Sequence, residues 1–270
     1  MNPLHLLKIE WSKFAPSGTF RVLVGLYAGS FALVMFMARS MGQNMTFSSN
    51  GVASHPLAGL FAYPNNWAIL ATVGSWMNAF VLGSLGVFLI TMEFGNRTLR
   101  QSVIFGMTRL EVAVSKLIWA VALALGATLF YIVLTFIGEM LDGNFGVPPA
   151  GDVACFGLQA LGYLCLGNLV GLLIRQTAMS MLAYLAYVLF LETVCYWLFY
   201  FSVAKTRLLL FLPNHVLGAL TPLPISNDVH HALDSNFGRS LSATEAAVAA
   251  LVYLVVFAAL FCRRIVKADL

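Results

Sequence analysis

Glu192 stands inside an apolar, aromatic stretch, Ala178–Phe201, among Tyr184, Tyr187, Tyr196, Trp197 and Tyr200. In a helix it would lie about 14 residues, or ~20 Å, from the near end of that stretch. A carboxylate there is costly in hydrocarbon unless it is protonated, paired or facing water. Two readings are open: an acid hydrogen-bonded to a neighbouring helix, or a polar point in a transport path or subunit seam shared with Tyr184, Tyr187 and Tyr196. A second group with chemical potential runs from Glu93 to Lys116, where Arg97, Arg100 and Arg109 alternate with Leu99, Val103 and Ile104. The planar fork of arginine grips carboxylates and carbonyls, so this mixture suits contact with another protein. The arginines would equally serve to fix orientation in a membrane. His230-His231 with Asp228 and Asp234 are metal-ligand types, but no helical spacing converges them on an ion.

Patterns for catalysis are missing. The chain has no His-Glu-x-x-His, Gly-x-Ser-x-Gly or Gly-x-Gly-Asp. None of its five lysines follows a glycine, so it lacks the phosphate-cradling Gly-Lys of a P-loop and is expected not to hydrolyse ATP by itself. Cys155, Cys165, Cys195 and Cys262 fall in apolar stretches without a Cys-x-x-Cys pair, which suggests small buried hydrophobes. Asn44-Met45-Thr46 and Asn96-Arg97-Thr98 match the glycosylation acceptor, a pattern short enough to arise by chance.

The elements that carry these residues follow from composition. Sixty per cent of residues are apolar and 10% charged, far below the charge a soluble surface of this size needs. The apolar residues fall in runs of about 20, the length of a helix crossing ~30 Å of hydrocarbon. The expectation is an all-α polytopic protein with spans near 19–38, 67–90, 117–138, 153–174, 178–201 and 245–262. It leaves no room for a separate soluble domain and predicts no cleaved leader. With the N-terminus inside, every basic residue except Arg39, Lys205, Arg207 and Arg239 is cytoplasmic. That bias explains the net charge of +4 better than nucleic-acid binding does, and it places both termini in the cytoplasm.

Residues 1–16 read as a helix with Leu4, Leu7, Trp11 and Phe14 on an apolar face and Lys8 and Lys13 beside it, lying in the headgroup plane. Pro16-Ser17-Gly18 ends it. Between spans two and three, residues 93–111 read as a short cytoplasmic helix opened at Gly95 or Asn96 and ended by a left-handed Gly106. Thr108 with Glu111 forms a capping box for the next helix, and Ser242 with Glu245 does so for the last. The glycines of Gly167-Asn168-Leu169-Val170-Gly171 permit close helix packing within the chain. In the outer connection 202–244, Leu208–Leu212 and Val216–Leu220 are apolar but too short to cross, and Pro213, Pro222 and Pro224 interrupt them. They read as helices dipping into the outer leaflet.

The run Glu93, Thr98, Arg100, Gly106, Thr108, Arg109 and Lys116 resembles the segment between the second and third spans of ABC-2 type permeases. The layout of N-terminal helix, six spans and long outer connection before the last span resembles that family too. The resemblance implies the membrane half of an ATP-driven exporter in the plasma (inner) membrane. Residues 93–111 would then be a coupling helix docked on a cytoplasmic ATPase subunit, with Arg97, Leu99, Arg100, Val103, Ile104 and Arg109 at the contact. Two ATPase copies would bind ATP and Mg, no cofactor would belong to this chain, and a second permease half would complete the path. An alternative is a non-transporting scaffold or assembly subunit of a larger envelope complex. Few ionisable residues lie in the spans, which disfavours a secondary transporter.

Overall fold

The computed structural model describes residues 3–44, 47–49, 52–54, 65–141, 143, 146–202, 207–222 and 241–267. Helix α1 is Pro3–Phe14, and after the turn at Ala15-Pro16 helix α2 runs Gly18–Asn44. A small antiparallel ribbon pairs β1, Phe47–Ser49, with β2, Val52–Ser54. Helices α3, Asn65–Met77, and α4, Gly83–Gly95, are joined without a break by a π-helical turn at Asn78–Leu82. Helix α5 is Thr98–Ile104, α6 is Arg109–Leu141 and α7 is Ala150–Ile174. A second π-helical turn, Tyr187–Leu191, joins α8, Thr177–Ala186, to α9, Glu192–Ser202. After a 3₁₀ turn at Arg207–Phe211 come the short α10, Pro213–Ala219, and finally α11, Ala243–Lys267. Among the described residues, six helical stretches are long and apolar enough to cross a membrane: α2, α3–α4, α6, α7, α8–α9 and α11.

Two of these stretches form the centre. The most apolar window is 67% buried in α3–α4 and 61% in α7, against 22–28% in the other four, which therefore surround the pair. Glycine makes the central contact possible. A Cβ on Gly167 would overlap the Gly83 carbonyl, and one on Gly171 would lie 2.9 Å from the Val87 oxygen. One on Gly86 would lie 2.7 Å from the Leu164 oxygen. Helices α4 and α7 thus meet backbone to backbone, in the way small residues allow in membranes. Gly167 and Gly171 are spent on this internal contact, as their spacing suggested.

Helix ends follow local chemistry. Thr108 N donates to Glu111 Oε2 at 2.8 Å while Glu111 N donates to Thr108 Oγ1 at 3.2 Å, the reciprocal box that starts α6. Ser242 and Glu245 repeat it at α11. Gly106 takes φ +95°, ending α5 in the left-handed region that glycine enters freely. The start of α5 differs from expectation: Arg97, not Gly95 or Asn96, caps it, with φ 56°. Helix α1 also turns a different face inward. Leu6, Glu10 and Phe14 are buried against the body, while Trp11 points outward. The departure from the apolar-stripe reading has an electrostatic cause, set out next.

Candidate functional site

Helix α5 lies between the ends of α4 and α6 and presents a mixed surface. Ile104 is 74% and Phe105 87% exposed, and Arg97, Arg100, Gln101, Arg109 and Leu110 are also exposed around them. Leu99 is only 3% exposed, so as a partner contact it is corrected: it seats α5 on the body of the chain and cannot reach another protein. Val103 is half-buried. Arg109 donates to the Val266 carbonyl at 3.0 Å, tying the start of α6 to the end of α11. Phe105 was missed in the sequence. An aromatic residue directly before the helix-ending Gly106 was the available signal.

Beneath this surface lies a buried charge cluster. Lys116 Nζ donates to both Glu10 Oε2 and Glu93 Oε1, and all three side chains are excluded from solvent. Lys13 Nζ lies 3.4 Å from Glu93 Oε1 and 3.6 Å from Glu10 Oε1, so two lysines balance two carboxylates. Lys13 also reaches Ser102 Oγ on α5 at 3.4 Å, and Ser115 Oγ donates to Glu10 at 3.2 Å. The Phe14 ring centroid lies 5.2 Å from Lys116 Nζ. Burial of these groups is affordable only because each charge meets its opposite. The cluster explains why Glu10 turns inward, and it bolts α1, α4, α5 and α6 together. Lys116 therefore serves as an internal tie and not as an interfacial anchor.

At the opposite end, Glu192 is 2% exposed and faces α10. Its carboxylate accepts from Asn214 N at 2.9 and 3.0 Å and from His215 N at 3.4 Å, and the Tyr187 hydroxyl bonds it as well. It thus satisfies the open amides at the start of α10, which favour negative charge. Tyr163 donates to Asn214 Oδ1 at 2.9 Å, and Asn214 Nδ2 to the Val188 carbonyl at 3.2 Å. The Tyr196 ring lies 4.7 Å from that of His215. Tyr184 is fully buried elsewhere: its hydroxyl donates to the Ala79 carbonyl at 2.6 Å and its ring rests on Gly83. The π-helical turns explain that meeting, because widening the helix leaves carbonyls open to side-chain donors. Of the four candidate path residues, Tyr187, Glu192 and Tyr196 gather around α10, and Tyr184 of α8 bonds the first π turn at Ala79.

A cavity of about 590 Å³ opens beside α10, lined by Ser75, Trp76, Thr193, His215, Leu189 and Leu210 among others. Among the described residues no formally charged side chain lines it, and burial pushes the His215 imidazole below its usual range, so the ring is neutral near pH 7. A polar chain runs from here toward α2. Gln159 Nε2 donates to the Leu217 carbonyl at 2.8 Å and to Ser75 Oγ at 2.9 Å, Asn78 Nδ2 donates to Gln159 Oε1 at 3.3 Å, and Tyr27 donates to Asn78 Oδ1 at 2.8 Å. Helix α10 is thereby held at its start by Glu192 and at its end by Gln159. The sequence reading passed over Asn78 and Gln159; an amide in the middle of each central span was the signal. His230, His231, Asp228 and Asp234 lie outside the described residues, as do the side chains of Trp197 and Tyr200. Among the described residues the arrangement offers recognition surfaces and a polar-edged cavity. No protein-family model matches the chain. No curated protein matches its sequence.

Proposed function

We propose that the chain is the permease subunit of an ATP-driven ABC exporter, joined through α5 to a separate cytoplasmic ATPase. The observation that carries this reading is the exposed platform at α5, tied to the buried charge cluster through Ser102. A loop between two spans needs neither a charge cluster at its root nor Ile104 and Phe105 exposed beside Arg100. Exposed apolar groups rimmed by polar ones mark interaction sites. ATP and Mg belong to the partner, present in two copies. A second permease half, in the same membrane, completes the path. The cavity beside α10 is the place for substrate, and its uncharged lining suits an amphipathic or lipidic molecule.

The test uses the two exposed residues, because a charge at the buried Leu99 would damage the fold itself. Ile104→Asp with Phe105→Asp should insert and purify at the wild-type level, yet lose the co-purifying ATPase and ATP-dependent transport. Retention of both partner and transport would reduce α5 to a topological anchor and leave the scaffold reading in its place.

A further inference from the structure

The polar groups that line the cavity beside α10 divide into two kinds. Tyr163 and Asn214 are committed to the fold: the Tyr163 hydroxyl donates to Asn214 Oδ1 at 2.9 Å, and Asn214 Nδ2 donates to the Val188 carbonyl at 3.2 Å. His215 and Thr193 are not. Both line the cavity, and neither side chain has a hydrogen-bond partner among the described residues. The His215 ring is half-buried and leans on Tyr196 at 4.7 Å, so part of it stays open to a molecule in the cavity. Thr193 is exposed. A helical threonine ordinarily bonds the carbonyl four residues before it, as Thr72 does with Ala68 at 2.9 Å. Thr193 comes just after the second π turn and makes no such bond. The two residues are neighbours, since Thr193 directly follows Glu192, whose carboxylate accepts from the His215 backbone at 3.4 Å.

Size and charge narrow the occupant. The volume of about 590 Å³ falls within the ~300–1,000 Å³ of sites that hold a small molecule. Trp76, Leu189, Leu210 and Leu241 supply an apolar wall. A phosphate, carboxylate or ammonium entering here would leave water without meeting an opposite charge, because the described lining has none and burial keeps the imidazole neutral. A plain hydrocarbon would leave His215 and Thr193 unmet. A hydroxyl both donates and accepts, so it pairs with a neutral imidazole in either tautomer and with a threonine.

We propose that the cavity binds an uncharged amphiphile with a hydroxyl at one end, the hydroxyl at His215 and Thr193 and the apolar body against Trp76, Leu189 and Leu210. This rests on the reading of the cavity as the place for the transported molecule and narrows it, since phospholipids, fatty acids and organic cations are turned away. His215 is the residue that sets the preference.

The full chain in phosphatidylcholine nanodiscs would be irradiated with three probes that share one diazirine-bearing alkyl chain: the alcohol, the sulfate and the trimethylammonium. The alcohol should label peptides containing Trp76, Leu189 and Leu210, and the two charged probes should label them about tenfold less. His215→Phe keeps a ring beside Tyr196 and the backbone bond to Glu192. It should lower labelling by the alcohol about tenfold at an unchanged thermal midpoint, and Thr193→Val should lower it about threefold. His215→Gln restores a donor and an acceptor and should label within about threefold of wild type, a rescue that a merely space-filling histidine would not show. Equal labelling by the three probes would overturn the proposal, as would equal labelling of wild type and His215→Phe by the alcohol. The exporter reading fails separately. Selective labelling by the alcohol in a chain that retains no ATPase would keep the ligand class and remove the exporter, whereas unselective labelling in a chain that retains one would remove the ligand class alone.

Discussion

Lys116 shows how one residue can carry two meanings that sequence cannot separate. In the sequence it is a basic residue at the edge of an apolar run, where the orientation rule would place it. In the structure it neutralises Glu10, 106 residues away in the chain, and Glu93, 23 residues away. Neither spacing is helical, so no periodicity could reveal the pairing. Lys116→Met should leave two buried carboxylates facing each other and cost about 3–5 kcal/mol. The expected result is a large drop in thermal midpoint and in yield. Adding Glu10→Gln and Glu93→Gln to the same chain should recover part of the loss, because uncharged amides tolerate burial better. Failure of the triple variant to recover would deny that charge balance holds the cluster. Glu192 was legible as an anomaly, but its partner was not, because α10 folds back to it from within the outer connection, 22 residues along the chain. Glu192→Gln keeps one acceptor oxygen and should cost ~1 kcal/mol, while Glu192→Ala leaves the Asn214 and His215 amides open and should cost ~2–3 kcal/mol. Hydrogen exchange at those two amides should speed up in the same order.

Among the elements, the spans were read from hydrophobic length, and their cores fall where expected. The helices run beyond the spans: α6 begins at Arg109, where the Thr108 box placed its start, and α11 continues to Lys267. Hydropathy cannot see these turns because capping boxes and basic residues build them, although the boxes at Thr108 and Ser242 were readable by their spacing. The π-helical turns were invisible, since one inserted residue leaves an apolar run apolar. Their consequence is structural: they open the Ala79 carbonyl to Tyr184 and turn Glu192 toward α10. The glycines of α7 were legible as a packing face, but only the fold pairs Gly167 with Gly83 and Val87 of α4, and Gly171 with Val87. Gly167→Ala should force the central helices apart against backbone, which cannot yield as a side chain can, and cost at least 1–3 kcal/mol. Gly126→Ala, where nothing is within 4 Å, should be neutral or slightly stabilising. Thermal unfolding of the two variants side by side would check the contrast, and equal midpoints would contradict the close α4–α7 contact.

For the whole molecule, orientation is the property on which every functional assignment depends, and it follows from how charge gathers at one end. Helix α1, helix α5, the Arg175 turn between α7 and α8, and the end of α11 with Arg263, Arg264 and Lys267 lie at the same end of the bundle, linked by Lys13 to Ser102 and by Arg109 to Val266. The opposite end carries α10 and the α6–α7 connection, where Val147 is exposed and no lysine or arginine occurs between Lys116 and Arg175. Basic residues are retained on the cytoplasmic side during insertion, so the α1–α5 end should be inside. Arg39 is one of four basic residues that the sequence places toward the other end, with Lys205, Arg207 and Arg239, and its guanidinium donates to the Gly138 carbonyl. In intact cells, Val147→Cys should therefore react with a membrane-impermeant thiol reagent. Gln101→Cys, equally accessible on α5, should react only after the membrane is opened. The four native cysteines are buried or half-buried and should give little background. Labelling of Gln101→Cys from outside would invert the molecule and put the Ile104–Phe105 surface out of reach of any cytoplasmic ATPase.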